Sequence, residues 1–276
     1  MVRVTDKNFY MDDRLYSKIN LMIKRCTQPN PKKDNVLLIE GGEGEGKSNL
    51  SFQVAYLVSY KTGRSFTSKN IFFKADKLLE FAQNTENQII IYDEPSLDML
   101  GAEWYKKEQL NIIKLLMTAR KKRHFFIFNI TKFYKFAEYI VVDRAIGMIH
   151  VYSRNEIEPG RFVYIRKKSI EWMYRIYRRS KQRTYKKYTS FRGTFPDFPE
   201  GIIDTDSYER KKNYAIMSIG TKKEDIHQKK LNELRYKIAN LSVPIQTKKE
   251  LAEKLETDPK TIRDWRQYDP PRRGEE

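Results

Sequence analysis

The chain has 276 residues, of which 54 are Lys or Arg and 36 are Asp or Glu, so its formal net charge is +18 at pH 7. Such an excess favours a polyanionic partner, and a basic surface that serves only solubility is the alternative. The chain has no apolar run of about 18 residues and no signal-peptide core, which predicts a cytoplasmic protein without a membrane segment. The single cysteine, Cys26, excludes an internal disulfide, and with three scattered histidines it gives no zinc-ligand spacing.

The first predicted elements are a helix and a strand. Apolar residues recur at helical spacing from Asp13 to Cys26. A loop that contains Pro29 and Pro31 then leads to the apolar run Val36–Ile39, which predicts a buried strand. We therefore expect residues 1–34 to form a helical extension beside a core that begins at residue 35.

Residues 41–48 follow this strand and read Gly-Gly-Glu-Gly-Glu-Gly-Lys-Ser, which fits the pattern G-x-x-x-x-G-K-[ST]. A strand, a glycine-rich turn and a helix that opens at Lys47 are the context of a phosphate-binding loop, and a turn without a ligand is the alternative. Backbone N–H groups and the helix N-terminus would surround the phosphates, Lys47 would reach the β- and γ-phosphates, and Ser48 would hold Mg²⁺. The predicted cofactors are thus ATP and Mg²⁺, and the predicted nucleotide contacts are Gly41, Gly42, Glu43, Gly44, Glu45, Gly46, Lys47, Ser48 and Asn49. We expect the carboxylates of Glu43 and Glu45 to face solvent or a neighbouring subunit, because they repel phosphate.

A second acidic motif ends the next buried strand. After a short strand near residues 70–73 and a helix over residues 75–83, the run Gln88-Ile-Ile-Ile-Tyr92 leads to Asp93 and Glu94. Open α/β sheets bind ligands at the carboxyl ends of their strands, so both acids are placed for chemistry. Asp93 would hold Mg²⁺, and Glu94 would act as the base that deprotonates the attacking water. An ordinary strand-ending turn is the alternative for either residue alone.

The following helix, residues 103–122, ends in a basic cluster. Cations at a helix C-terminus are stabilised by its dipole, and the alternative is that Arg120 or Arg123 acts on a γ-phosphate, in its own subunit or across an interface. The next strand, residues 124–131, carries Asn129 and Thr131 near its end. Either side chain is a candidate to hydrogen-bond the water or the γ-phosphate, and a turn-forming role is the alternative.

The segments 115–133, 139–145 and 147–153, in this order, resemble the motor core of the FtsK/HerA class of DNA-pumping ATPases, which includes viral packaging ATPases and the Zot-like proteins of filamentous phages. In that class a helix that ends in arginine precedes a strand with a polar sensor, a segment that leaves the sheet, and a further strand. The resemblance covers about residues 34–154. It implies a RecA-like P-loop ATPase core with a mainly parallel sheet and a ring of subunits, hexameric or pentameric. The class usually has glutamine as the sensor, where Asn129 or Thr131 stands here.

Beyond this core, two strands flank a polar loop at residues 155–160, and residues 166–192 then interleave cations with aromatic residues and contain one acid, Glu171. Cations contact phosphates and rings stack on bases, so this mixture is typical of a nucleic-acid surface. A solvated helix face is the alternative. The candidate contacts are Arg175, Arg178, Arg179, Arg183, Lys186 and Lys187.

The C-terminal part has a different character. Residues 194–201 contain two Phe-Pro pairs and Gly201, which predicts a linker. We expect a helical stretch near residues 208–219, still within the region 194–221, and then a small all-α domain over residues 222–276. Residues 247–265 have the pattern of a helix-turn-helix, with Asp258 as a cap and Pro259 at the first helical position. Thr261, Arg263 and Arg266 would then lie near the groove of DNA. A helical hairpin that binds protein is the alternative.

Two functions of different classes fit these predictions. The first is an ATP-hydrolysing DNA motor, either a translocase or a packaging ATPase, that acts as a ring oligomer with a viral or plasmid assembly partner. The second is an ATP-switched DNA-binding protein or loader that does not translocate. We expect DNA as the partner because the basic stretches carry tyrosines, whereas no segment reads as a strong surface-binding apolar helix.

Overall fold

The computed structural model describes residues 1–3, 9–93, 102–154, 158–197 and 203–215, with the single residues 217, 231, 253 and 256. The chain divides into two compact units, residues 1–217 and 218–276. Nearly all of the second unit, which includes the predicted helix-turn-helix residues Thr261, Arg263 and Arg266, lies outside the described residues, and so does Glu94. Within the described ranges, no helix is long and apolar enough to cross a membrane.

The first unit is a mixed α/β structure built on a mostly parallel sheet. The strands are β1 (Val2–Arg3), β2 (Tyr10–Met11), β3 (Asn35–Glu40), β4 (Ile71–Phe72), β5 (Ile89–Asp93), β6 (Phe125–Ile130), β7 (Gly147–Arg154), β8 (Glu158–Arg166) and β9 (Phe191–Thr194). The main sheet has the order β4-β5-β6-β3-β7-β8-β9. Its strands from β4 to β7 pair in parallel, and β8 and β9 extend it antiparallel. The short strands β1 and β2 pair separately.

Helices cover both faces of the main sheet. They are α1 (Asp13–Thr27), α2 (Lys47–Thr62), α3 (Ala75–Asn84), α4 (Ala102–Thr118), α5 (Lys167–Ser180) and α6, over residues 205–215. Side chains of α1, α2 and α6 pack on one face, and those of α3, α4 and α5 pack on the other. Side chains of β3 point alternately to the two faces of the sheet. Leu37 and Ile39 pack in the apolar cluster on the face of α1, α2 and α6, and Val36 and Leu38 pack in the cluster on the opposite face. A strand that is buried on both faces explains the continuous apolar run in the sequence.

The predicted elements up to β8 are confirmed, with bounds that differ by a few residues. The long helix predicted over residues 103–122 is α4, and its last residues, Ala119–Lys122, form a 3-10 turn. The segment that leaves the sheet, Tyr139–Arg144, is a π-helical turn between β6 and β7. The strand β9 lies at the end of the basic segment and was not predicted, because Phe-Arg-Gly-Thr has a glycine and no alternation of apolar residues.

The linker predicted from residue 194 onward is wrong for residues 194–197. Phe195 is 5% exposed and belongs to the same apolar cluster as Tyr208 of α6. The neighbouring residues hold α2, because the Pro196 carbonyl accepts a hydrogen bond from Gln53 and the Asp197 carboxylate accepts one from Asn49 at 3.2 Å. Proline-rich composition indicates a break in regular structure, but burial of the Phe195 ring keeps the segment on the core.

His124 makes the core sensitive to acid. The Gln88 N–H donates to Nδ1 at 3.1 Å, and Nε2 lies 3.0 Å from the Ala82 carbonyl, so the ring is held as the neutral Nε2–H tautomer. Burial lowers the pKa of His124 to about 4 from its ordinary value of 6.5. Below pH 6.5, His124 therefore binds a proton in the unfolded chain, whereas in the folded chain its ring stays neutral down to about pH 4.

We predict that this histidine lowers the free energy of unfolding by up to about 3 kcal/mol as the pH falls from 6.5 to 4. Stability from His124 is fully present above the unfolded pKa and is lost below it. The measurement is the urea midpoint at several pH values for the wild type and for His124→Gln, whose side chain does not titrate. Parallel acid profiles for the two proteins would show that His124 is not responsible.

Candidate nucleotide-binding site

The phosphate loop lies at the carboxyl edge of the sheet, between the end of β3 and the start of α2. Gly44 and Gly46 have φ angles of +77° and +89°, which side chains with a Cβ rarely adopt. A Cβ on Gly41 would lie 2.6 Å from the Val151 carbonyl oxygen, so the loop also needs glycine to pass close to β7. The tip of the loop, at residues 42–44, is exposed, and its backbone groups are open to a ligand.

The two acids within the loop behave differently. Glu43 is exposed, in agreement with the expectation that it faces solvent. Glu45 is half-buried, and its carboxylate accepts a hydrogen bond from Ser153 Oγ of β7 at 2.5 Å, which corrects the expectation that it also faces solvent or a neighbouring subunit. This bond directs the Glu45 carboxylate toward the sheet edge, because β7 runs directly beside the loop.

Lys47 lies inside the loop. Its Nζ donates to the carbonyl of Gly41 at 3.0 Å and to that of Gly42. Burial lowers the pKa of Lys47, and the carboxylates of Asp93 and Glu40 oppose this shift. The ammonium group is thus held by neutral carbonyl oxygens that a phosphate oxygen can replace.

Ser48 and Asp93 meet at the position expected for a metal. Ser48 Oγ donates to Asp93 Oδ2 at 3.1 Å, although the residues are 45 positions apart. A hydroxyl beside a buried carboxylate is a donor pair that suits Mg²⁺, and with the loop it fits a nucleoside triphosphate. In such a complex Ser48 and Asp93 would hold the metal, and the loop would hold the phosphates. Bound Mg²⁺ supplies neutralisation of the charge on the β- and γ-phosphate oxygens.

Asn129 fixes the orientation of Asp93. It lies on β6, which runs between β3 and β5, and it pairs with Asp93 in the sheet register. Its Nδ2 donates to Asp93 Oδ1 at 3.2 Å and to Ser51 Oγ at 3.1 Å, and its own Oδ1 has no partner among the described residues. Of the two sensor candidates, Asn129 thus contacts the Asp93 carboxylate.

Thr131 lies elsewhere. It borders a small cavity of about 50 Å³ together with Glu40 and Tyr134, and its buried hydroxyl has no partner within the described part of the chain. The cavity has room for a water molecule. We therefore favour Asn129 over Thr131 for a role beside Asp93.

Tyr208 also reaches this site, and it was not among the predicted residues. Its hydroxyl donates to Asp93 Oδ2 at 2.6 Å and lies 3.1 Å from Ser48 Oγ. The side chain is 4% exposed, and its ring packs edge-on against Phe52 with centroids 5.0 Å apart. Burial, followed by the charge of Asp93, raises the pKa of Tyr208, so the phenol stays protonated and acts as a donor. The hydroxyl thus lies within hydrogen-bond distance of both residues that would hold Mg²⁺.

We predict that Tyr208→Phe raises the affinity for Mg²⁺ and ATP by about tenfold, because the metal no longer competes with a hydrogen bond to a carboxylate. The measurement is a titration with a fluorescent ATP analogue at several Mg²⁺ concentrations. Tyr214→Phe, a change on the same helix at a residue that is 73% exposed, serves as the control. Weaker binding by Tyr208→Phe would mean that the hydroxyl supports the metal site instead.

The candidate arginines lie at the opposite edge of the sheet. Arg120 and Arg123 precede β6, and a third arginine considered for this role, Arg144, precedes β7. The phosphate loop follows β3, and these strands run parallel. Action of Arg120 or Arg123 on a γ-phosphate in the same subunit is therefore excluded, since a whole strand separates them. Arg123 donates to the Pro29 carbonyl at 2.7 Å, and Arg144 is paired with Asp34. Arg120 is exposed, and within the described ranges it forms no ion pair.

The basic segment is divided between paired and unpaired cations. Arg175 pairs with Glu171 at 2.6 Å, and Arg178 pairs with Glu138. Four others are exposed and form no ion pair with any described residue: Arg179, Arg183, Lys186 and Lys187. Two of the six predicted contacts are thus already neutralised, and the unpaired cations concentrate after α5.

No protein-family model matches the chain, and no curated protein matches it. One similar solved structure is the DnaC helicase loader, with 14% identity over 48% of this chain and 75% of that chain and a TM-score of 0.29. A second is the replication initiator DnaA bound to AMPPCP and single-stranded DNA, with 11% identity over 96% of this chain and 90% of that chain and a TM-score of 0.35. A third is AMPPCP-bound DnaA from Aquifex aeolicus, with 13% identity over 96% of this chain and 92% of that chain and a TM-score of 0.35.

Proposed function

We propose that the protein is an ATP-hydrolysing DNA motor, a translocase or packaging ATPase that works as a ring oligomer. The observation that carries the ATPase part is the meeting of Ser48 and Asp93 beside the phosphate loop, with Lys47 held in the loop. Lys47 would bind phosphate oxygens, Asn129 would keep the Asp93 carboxylate in place, and Glu94 would take the proton of the attacking water.

DNA as the substrate of movement is supported by charge. The net charge of +18 and the exposed, unpaired cations after α5 provide contacts for a phosphate backbone. Phosphate contacts of this kind are independent of sequence, which suits a protein that moves along a strand.

A nucleotide-driven switch is the second candidate, and the position of Tyr208 favours it. Tyr208 donates to the Asp93 carboxylate that would hold Mg²⁺, so its hydroxyl would have to leave Asp93 when metal and nucleotide bind, and α6 would move with it. A switch or loader uses such a rearrangement to change its grip on DNA without travelling along it.

Displacement of a protein roadblock from DNA separates the two candidates. A motor removes the roadblock from one end of the DNA and not from the other, and removal requires ATP hydrolysis. A switch hydrolyses ATP and leaves the roadblock in place. Removal without directional preference, or none at all despite ATP turnover, would contradict the motor.

In a ring oligomer, we expect each catalytic site to be shared between two neighbouring subunits. Arg120 is the best candidate for an arginine that reaches the γ-phosphate of a neighbouring subunit, because it is exposed and lies far from its own loop. We predict that Arg120→Ala lowers hydrolysis about 1,000-fold or more, as loss of such an arginine does. A mixture of Arg120→Ala with Lys47→Ala should recover part of the activity, because a mixed ring joins an intact loop to an intact arginine.

Lys121→Ala, a change at the next exposed cation of the same turn, is the control for this experiment. It should retain activity alone. Failure of the mixture to recover activity, together with constant specific activity on dilution to the monomer, would make the site self-contained.

A further inference from the structure

A cavity of about 630 Å³ lies beside the phosphate loop, and none of the contacts described above uses it. Its floor is the face of β7, β8 and β9 that carries His150, Tyr152 and Val163, and its other wall is the segment at residues 183–189. The volume is in the range of about 300–1,000 Å³ that is typical of small-molecule sites. The cavity therefore has room for one planar group and its neighbours.

Aromatic rings with parallel planes line the cavity. The Tyr185 ring stacks on the His150 ring with centroids 4.3 Å apart and an angle of 12° between planes. The Tyr152 ring lies on the same strand, 6.1 Å from His150 and tilted by 15°. Thr184 also lines the cavity. The cavity thus offers stacking surfaces.

Cations surround these rings. The lining includes Arg183, Lys186, Lys187 and Arg192, all exposed and none in an ion pair within the described ranges. A planar, apolar interior with unpaired cations around it is complementary to a nucleotide, in which a flat base is joined to phosphates. An acidic peptide would satisfy the cations and leave the parallel rings without a matching plane.

We propose that this cavity binds a base of single-stranded nucleic acid, while the flanking phosphates contact the four cations. A base reaches such a cavity only when it is unpaired, so the proposal specifies the single strand. It rests on the proposed function in so far as that function requires a nucleic acid, and it adds the strandedness and the contact site.

The cavity shares a carboxylate with the phosphate loop. Glu40, the last residue of β3, is 5% exposed, accepts a hydrogen bond from the Tyr185 hydroxyl at 3.0 Å and is bonded to His150 Nδ1. The next residue is Gly41, whose carbonyl accepts the hydrogen bond from Lys47. A base that moves Tyr185 or His150 therefore changes the hydrogen bonds of Glu40, the residue that precedes the phosphate loop.

The test compares two fluorescent strands of about twelve nucleotides, oligothymidine and an abasic strand with the same phosphates, bound to the full chain without ATP. The wild type should prefer oligothymidine by about 5- to 150-fold, because stacking of one base contributes that factor. Tyr152→Ala removes a stacking ring and leaves every cation in place, so the preference should fall to nearly one. Tyr152→Phe keeps the ring and should keep the preference.

Trp172→Ala is the matched control. This ring is 56% exposed on α5 in the same basic segment, and it lies outside the cavity lining. Retained base preference in Tyr152→Ala, or its loss in Trp172→Ala, would overturn the proposal. Equal affinity for thymidine monophosphate and for the strand would also overturn it, because the cavity would then be a site for mononucleotides.

A second measurement does not depend on the variants. Oligothymidine that contains 4-thiothymidine should cross-link on irradiation to peptides with residues 150–152 or 183–187, and cross-links confined to α5 would contradict the cavity. The outcome is separable from the proposed function. If DNA stimulates ATP hydrolysis but the wild type shows no base preference, base binding in the cavity is contradicted and the proposed DNA-dependent ATPase is not. If the wild type binds no nucleic acid, both proposals are contradicted.

Discussion

Lys47→Ala should abolish nucleotide binding at concentrations where the wild type is saturated. The ammonium group is half-buried in the loop, and its hydrogen-bond partners among the described residues are the carbonyls of Gly41 and Gly42, which a phosphate oxygen can replace. Removal of one member of a buried, hydrogen-bonded charge pair weakens binding by about 30- to 5,000-fold. The measurement is a titration with a fluorescent ATP analogue in the presence of Mg²⁺.

Lys61→Ala is the matched control for this prediction. Lys61 is exposed in the last turn of the same helix, α2, so its removal changes the net charge equally without touching the loop. Both variants should unfold at the same temperature within a few degrees. Normal ATP affinity in Lys47→Ala would mean that the loop does not bind the phosphates.

Substitutions of Asp93, the last residue of β5, and of Glu94, the next residue in the sequence, should have different effects. Glu94→Gln should bind ATP normally and lose hydrolysis by about 100- to 10,000-fold, because a general base contributes a factor of this size. Asp93→Asn should instead lose the Mg²⁺ dependence of binding, because its charge is removed while Ser48, Asn129 and Tyr208 still surround it. Binding with and without Mg²⁺, together with turnover, separates the phenotypes. Undiminished turnover in Glu94→Gln would remove that residue from the role of base.

Local patterns were sufficient to predict the strand, the glycine-rich loop and the helix at residues 35–62, and the position of Asp93 at the end of a strand. The motif at residues 41–48 carries its own structural context, because the preceding strand and the following helix are read from apolar spacing alone. The same holds for Asp93, since a carboxylate at the end of an apolar run lies at the carboxyl edge of a parallel sheet. The meeting of Ser48 with Asp93 follows from these two facts and the strand order.

Contacts between residues that are far apart in the sequence could not be predicted from local patterns. Tyr208 is 115 residues from Asp93 in sequence, and nothing in the pattern near residue 208 indicates a metal site. Phe195 lies in a stretch whose prolines indicate a loop, and only its burial shows that the segment belongs to the core. The placement of Arg120 required the strand order, because the distance of an arginine from the loop depends on which ends of the strands share an edge.

The cavity could not be predicted from local patterns either. His150 and Tyr185 are 35 positions apart and on different kinds of element, so their stacking cannot be read from either segment. The sequence predicts a basic, aromatic nucleic-acid surface over residues 166–192. In the structure, Arg175 and Arg178 of that segment are paired on α5, and unpaired cations surround a cavity beside the phosphate loop.

The most direct test of the account is the rate of ATP hydrolysis by the full chain with and without single-stranded DNA, measured beside Lys47→Ala. We predict hydrolysis that requires Mg²⁺, rises when DNA is added and is absent from Lys47→Ala. Hydrolysis that is indifferent to DNA, or equal rates in the wild type and Lys47→Ala, would contradict the account.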